Sequence, residues 1–166
     1  MEELSVRRIT EPTEIDKLTE WMYAWWGERE GYTREAVKDS LLHSLNRDRL
    51  PMTFGLYRKG MLIGMFQFTN SDLFVRPDLT PWLANVYLDP AFRGKGFGRY
   101  MLSTVKDRAK AHLRAGELFL FTKHIGLYEK FGWIFREEID THLEPRIQRL
   151  YRLPLSDGGD HGGKER

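Results

Sequence analysis

Residues 82–113 read WLANVYLDPAFRGKGFGRYMLSTVKDRAKAHL, and the order of residue types in this stretch decides the fold. Trp82–Leu88 is a run of strand-forming residues cut off by Asp89-Pro90. Arg93-Gly94-Lys95-Gly96-Phe97-Gly98 follows, and then Phe97, Met101, Val105, Ala109 and Leu113 recur four apart with Arg99, Ser103, Lys106 and Lys110 opposite. That period predicts an amphipathic helix from Phe97 to Leu113. Glycines let backbone N–H groups approach a ligand, and the first helical turn offers unpaired donors and a positive dipole end, so the segment reads as an anion cradle. Residues 93–114 carry seven Lys or Arg against one acid, Asp107, a local balance of +6 in a chain of net charge +2. Cations at a helix N-terminus oppose its dipole by a few tenths to about 1 kcal/mol each, which a negative ligand would offset.

Outward from this core, Ser5–Thr10 reads as a first strand ending at Glu11-Pro12. Thr13 and Asp16 resemble a capping box, and Ile15, Leu18, Met22 and Trp25 give a first helix up to Gly27. Thr33 caps a second helix with the stripe Val37, Leu41, Leu45, which stops before Pro51. Met52–Arg58 and Met61–Thr69, separated by Lys59-Gly60, form a tight antiparallel hairpin. Asn70–Pro81 is turn chemistry without apolar period, long for a loop, and is expected to meet an acceptor. Leu118–Phe121 is apolar on both faces, as a central strand is. Ile125–Phe131 reads as a short helix ended by Gly132, and Trp133–Ile139 and Arg146–Leu153 as two closing strands. The expected order is β-α-α-β-β-β-α-β-α-β-β: one α/β domain over 1–155, with a central mixed, mainly antiparallel sheet and helices on both faces. Residues 156–166, with four glycines, read as a disordered tail.

Composition narrows the function. At 166 residues and 41% hydrophobic content, one core of ordinary size is expected. Without cysteine there is no disulfide, no thiolate ligand and no cysteine-bound acyl intermediate. No apolar run approaches the roughly 20 residues of a membrane span, and the acidic N-terminus is not a signal peptide, so the cytoplasm is the default location. His43, His112, His142 and His161 lack ligand-like spacing, so no metal is expected. The string G-x-x-x-x-G-K-[ST] of a nucleotide P-loop does not occur, and Arg99 and Met101 stand where G-x-G-x-x-G would need its last glycine.

What does match is R-x-x-G-x-G at Arg93, Gly96 and Gly98, followed about thirty residues on by Leu127-Tyr128-Glu129-Lys130-Phe131-Gly132-Trp133. With the strand before the first motif and the basic helix after it, the chain resembles the GNAT superfamily of acyl-CoA-dependent N-acetyltransferases. These carry [Q/R]-x-x-G-x-[G/A] between the fourth strand and third helix and L-Y-x-K-x-G-[F/W] after the fifth strand. The resemblance implies that acetyl-CoA is the cosubstrate. Its pyrophosphate would lie on Gly94, Lys95, Gly96, Phe97, Gly98 and Arg99 with charge from Arg93, Lys95 or Arg99, and its pantetheine would lie along Val86, Tyr87 and Leu88. Tyr128 falls where the family places the tyrosine that protonates the departing thiolate; as an aromatic it also suits simple packing. The base has no fixed family position, and Asp72, Asp78 and His124 stand as candidates. The family's frequent N-x-x-A-x-x-L-Y pattern is broken, with Phe121 for the asparagine and His124 for the alanine, leaving Thr122 as a substitute contact.

Trp25 and Trp26 end the first helix near the family's usual acceptor site, although at least one of the pair is expected in the core. The reading is an N-acetyltransferase acting on a primary amine, of a small molecule or a protein, by direct attack in a ternary complex; a homodimer is compatible with it. The rival is an acyl-CoA-binding regulatory module without turnover. Single-stranded nucleic-acid binding fits less well, since the positive charges cluster at a glycine turn without a stacking stripe, and no nucleic-acid or membrane partner is expected.

Overall fold

A computed structural model describes residues 3–156, so the tail from Asp157 onward lies outside the described residues. The elements are β1 (Leu4–Ile9), α1 (Ile15–Met22), α2 (Arg34–Leu42), β2 (Met52–Arg58), β3 (Met61–Thr69), β4 (Trp82–Leu88), α3 (Phe97–Ser103), α4 (Val105–His112), β5 (Glu117–Thr122), β6 (Ile134–Asp140) and β7 (Ile147–Pro154). The chain divides into two compact units, one of Met1–Thr69 with Ala84–Met101 and one of Asn70–Leu83 with Leu102–Arg166. Both units use β4.

In the first unit the strand order is β1-β2-β3-β4. The pairs β1/β2 and β2/β3 are antiparallel. Lys59 (φ 51°) and Gly60 (φ 82°) turn the β2–β3 hairpin, the two positive φ values that a two-residue loop matched to strand twist requires. The side chain of Thr33 accepts a bond from Ala36 N at 3.0 Å and so starts α2 as its sequence predicts. Leu18, Met22, Val37, Leu41, Leu62 and Met65 form the core of this unit, between the helices and the sheet. Fully burying side chains of this kind contributes about 1.5–3 kcal/mol each.

In the second unit the order is β4-β5-β7-β6. β5 runs parallel to β4, with Trp82 opposite Phe119, and antiparallel to β7, which pairs antiparallel with β6. Leu118, Phe119 and Leu120 are each at most 3% exposed, which places β5 inside on both faces. Trp82, Phe119, Leu73, Leu79 and Leu150 make the core here. The outcome is an α/β fold with a seven-stranded mixed sheet, as expected.

Four local expectations are corrected. The first helix starts from a 3-10 turn at Pro12–Glu14, with Glu14 as N-cap and no side-chain cap bond, so Thr13 and Asp16 make no capping box. Its end unwinds into a π turn at Tyr23–Gly27. The predicted helix 97–113 is two helices interrupted at Thr104 (φ −90°, ψ −12°), a β-branched residue of low helix propensity. The buried stripe Phe97, Met101, Val105, Ala109 nevertheless runs through both. The predicted helix 125–131 is reduced to a 3-10 turn at Tyr128–Phe131, closed by Gly132 at φ 91°.

Candidate functional site

The glycine turn belongs to the first unit. After β4, Asp89 caps the short turn Pro90–Phe92 by accepting from Ala91 N at 3.0 Å, and Arg93 Nε donates back to Leu88 O at 2.8 Å. Gly94 (φ 81°) and Gly96 (φ 86°) then take left-handed conformations that L side chains rarely adopt, and nothing lies within 4 Å of where a Cβ would project from either. The turn is therefore open. Phe97 is buried beneath it, while Arg93, Lys95 and Arg99 are exposed, as cations facing a polyanion need to be. The Arg58 guanidinium of β2 lies 5.4 Å from the Phe97 ring centre, a cation that its place in a hairpin strand did not advertise.

Val86, Tyr87 and Leu88 are half-buried at the end of β4. The Tyr87 ring gathers Trp21 (5.4 Å), Trp25 (5.5 Å) and the Arg93 guanidinium (5.2 Å) around it. The structure thus brings together three residues singled out for different roles, Trp25, Tyr87 and Arg93. The tryptophan pair separates. Trp25 is 42% exposed, whereas Trp26 packs on the α1–α2 core with its indole N–H buried and without a partner. Asn85, also on β4, has φ 53°, a conformation the sequence reading passed over.

The second unit holds the remaining candidates. Tyr128 is 7% exposed, wedged edge-on against Trp133 (6.0 Å) and beside Tyr151 (6.4 Å). Burial pushes its hydroxyl up to about 12, so it is a proton carrier at every physiological pH. Its turn is fastened by Tyr151, which donates to Glu129 Oε2 at 2.6 Å and accepts from Arg149 Nε at 2.7 Å. The hydrogen bond from Tyr151 is the main cause of the lowered pKa of Glu129. Thr122 is buried, and its hydroxyl accepts from His124 N at 3.1 Å; His124 itself is exposed and starts no helix.

Asp78 is held by Arg76 through two bonds of 2.9 and 2.7 Å, and that guanidinium also faces Glu137 at 3.6 Å. The Arg76 hydrogen bond pulls Asp78 down to about 2, which makes it a poor base near neutrality. Asp72 is exposed. The loop that carries both is anchored rather than free: Leu73 and Leu79 are buried, and Trp82 Nε1 donates to Leu79 O at 2.7 Å. Arg76 was missed because its partners, two and sixty-one residues away, form no motif. Among the described residues no three His, Cys, Asp or Glu side chains converge on a metal position, and no helix is long and apolar enough to cross a membrane.

Solved structures share this architecture. Spermidine N-acetyltransferase from Vibrio cholerae, in complex with CoA and spermine, aligns over 92% of this chain and 95% of its own with TM-score 0.71 and 16% identity. The Salmonella typhimurium acetyltransferase that modifies the N-terminal serine of ribosomal protein L7/L12 gives 0.69 and 10% over 92% and 95%. A GNAT family acetyltransferase from Elizabethkingia anophelis with acetyl-CoA bound gives 0.65 and 16% over 92% and 98%. No curated protein sequence matches the chain significantly. The model of the Acetyltransferase (GNAT) family matches residues 15–133, from the start of α1 through the glycine turn to the end of the Tyr128 segment. With that match over most of its length, this chain belongs to the GNAT acetyltransferase family.

Proposed function

We propose that the protein transfers acetyl from acetyl-CoA to a primary amine by direct attack. The observation that carries this reading is the open turn in which Gly94 and Gly96 are both left-handed and face no side chain, directly after β4 and among the exposed cations Arg93, Lys95 and Arg99. The backbone amides of Gly94 to Arg99 hold the pyrophosphate, and main-chain groups of Val86–Leu88 pair with pantetheine as an added strand would. Bound acetyl-CoA supplies a thioester. In the overall change the amine nitrogen gains the acyl carbon and loses a proton, while the sulfur loses that carbon and gains a proton. Tyr128 is the donor to sulfur: its hydroxyl is neutral and makes no hydrogen bond to another described residue. Asp78 is the weakest of the base candidates because its bonds to Arg76 lower its affinity for a proton, and Asp72 and His124 follow as residues to test. Trp25 is the acceptor-side aromatic and Thr122 a secondary contact.

The structural neighbours act on a polyamine and on a protein N-terminus, which keeps the acceptor at the level of an amine. The setting that goes with this reading is cytoplasmic, with a homodimer compatible. The test is calorimetric titration with CoA followed by thiol release from acetyl-CoA across an amine panel. Saturable binding and amine-dependent release are expected. Binding without release on any acceptor favours the regulatory module instead, a reading to which the tied-up Asp78 lends its one specific support; no binding overturns both.

A further inference from the structure

The three non-glycine residues of positive φ among the described residues are Lys59, His142 and Asn85, and of these Asn85 alone lies inside a strand. Its side chain begins a directed chain of hydrogen bonds within the first unit. Asn85 Nδ2 donates to Gln67 Oε1 at 2.7 Å, Gln67 Nε2 donates to Thr53 Oγ1 at 3.0 Å, and Thr53 Oγ1 donates to Ser44 O at 2.7 Å. Gln67 and Thr53 face each other in the β2–β3 register and are 3% and 1% exposed. Each link satisfies a group that would be costly to leave unpaired in such surroundings. No member of the chain titrates near neutrality, so it cannot pass a proton, and its work is conformational.

A left-handed residue within a strand re-aims the groups that follow it, as bulge residues do. Those groups here are Val86, Tyr87 and Leu88. Their path is close-set: Tyr87 O lies 2.9 Å from where a Cβ on Gly64 would stand, and Asp89 N is bonded to Ile63 O at 2.8 Å. Besides the pairing of β3 with β4 in the sheet, the Asn85 side chain before the left-handed residue's turn and the Asp89 amide after it tie β4 to β3. Asparagine is among the few residues that accept the left-handed region, and its bond to Gln67 fixes the side chain in the orientation that goes with it.

We infer that Gln67 is a positioning residue: anchored by Thr53, it holds Asn85 left-handed and so sets the direction in which the main chain of Val86–Leu88 is presented to acetyl-CoA. This rests on the acetyltransferase reading for its ligand, not for its geometry. Removing the acceptor by Gln67→Leu is expected to raise the Kd for CoA about tenfold, the size of one lost or misdirected hydrogen bond to a fixed partner. Asn85→Ala, which also disfavours positive φ, is expected to match it; Asn85→Gly, free to keep positive φ without a side chain, recovers most of the affinity. A merely structural role would not separate glycine from alanine at position 85.

Calorimetry with CoA and a crystal structure of Gln67→Leu test this. Loss of positive φ at residue 85 together with weaker binding supports it. Wild-type affinity in folded Gln67→Leu, or equal affinity of the Gly and Ala variants at position 85, overturns it; should Gln67→Leu not fold, Gln67→Met, which removes the same acceptor at nearly equal volume, is measured in its place and read by the same outcomes. A wild-type chain that binds no CoA overturns the acetyltransferase reading, and the crystal structure still decides whether Gln67 sets the conformation of Asn85.

Discussion

Tyr128 joins two properties that usually compete, deep burial and an uncommitted hydroxyl. If it protonates the leaving sulfur, Tyr128→Phe removes one oxygen and leaves the packing against Trp133 and Tyr151 in place. Steady-state kinetics should then show kcat falling about 10²–10⁴-fold, the usual reach of a positioned acid, with KM for acetyl-CoA within about twofold. Unchanged kcat would return Tyr128 to a packing role. With a pKa of about 12 the donor stays protonated, so wild-type rates should show no alkaline fall caused by it below about pH 11. Asp78 makes the opposite case. With a pKa of about 2 and two bonds to Arg76, it has little affinity for a proton near neutrality. Asp78→Asn should leave the acidic limb of the pH–rate profile where it is, whereas His124→Ala should lower kcat if the imidazole accepts the amine's proton.

At the scale of elements, the glycine turn depends on backbone conformation rather than on free space. A methyl group at position 94 or 96 would meet no atom, yet both residues lie in the left-handed region, where an L residue costs about 1–2 kcal/mol. Gly94→Ala and Gly96→Ala should therefore each weaken CoA about tenfold by calorimetry, as the turn abandons its conformation to relieve the strain. The melting temperature should fall by only a few degrees, since the strain is at most about 1–2 kcal/mol. The break between α3 and α4 has a similar logic. The buried positions Phe97, Met101, Val105 and Ala109 keep their four-residue spacing on both sides of Thr104, while that one residue falls outside either helix. Periodicity reports the first and is blind to the second.

Across the whole molecule, a chain of net charge +2 carries +6 between residues 93 and 114. CoA affinity should fall as KCl rises, because the exposed cations around the glycine turn are screened over a Debye length of about 10 Å at 0.1 M salt. Burial of Tyr128 also makes stability depend on pH. Unfolded, its phenol titrates at 10.0; folded, at about 12. Between those values the unfolded chain has released a proton that the folded chain keeps, so stability is undiminished below pH 10 and declines as pH rises to 12. The single residue is worth about 2–3 kcal/mol of that decline. Urea titrations at pH 9 and 11.5 should show a steeper loss in wild type than in Tyr128→Phe.

Much of the fold was legible in the residues because its signals are local. The Lys59-Gly60 turn, the Thr33 cap, the two-faced apolar run of β5 and the strand, glycine turn and helix around Arg93 each depend on neighbours within a few positions, and a single sequence displays those. The Tyr128 segment and the turn were legible too, as spaced motifs. Tertiary structure alone decided the rest: that Asn85 rests left-handed on Gln67, that Arg76 with Glu137 behind it grips Asp78, that Tyr151 fastens Glu129, and that Trp25 stands more exposed than Trp26. The Asn85–Gln67 and Glu129–Tyr151 contacts join side chains 18 and 22 residues apart, whose meeting is set by strand register and chain packing. A polar residue shows in its sequence that it needs a partner; which partner it finds is settled only when the strands have paired.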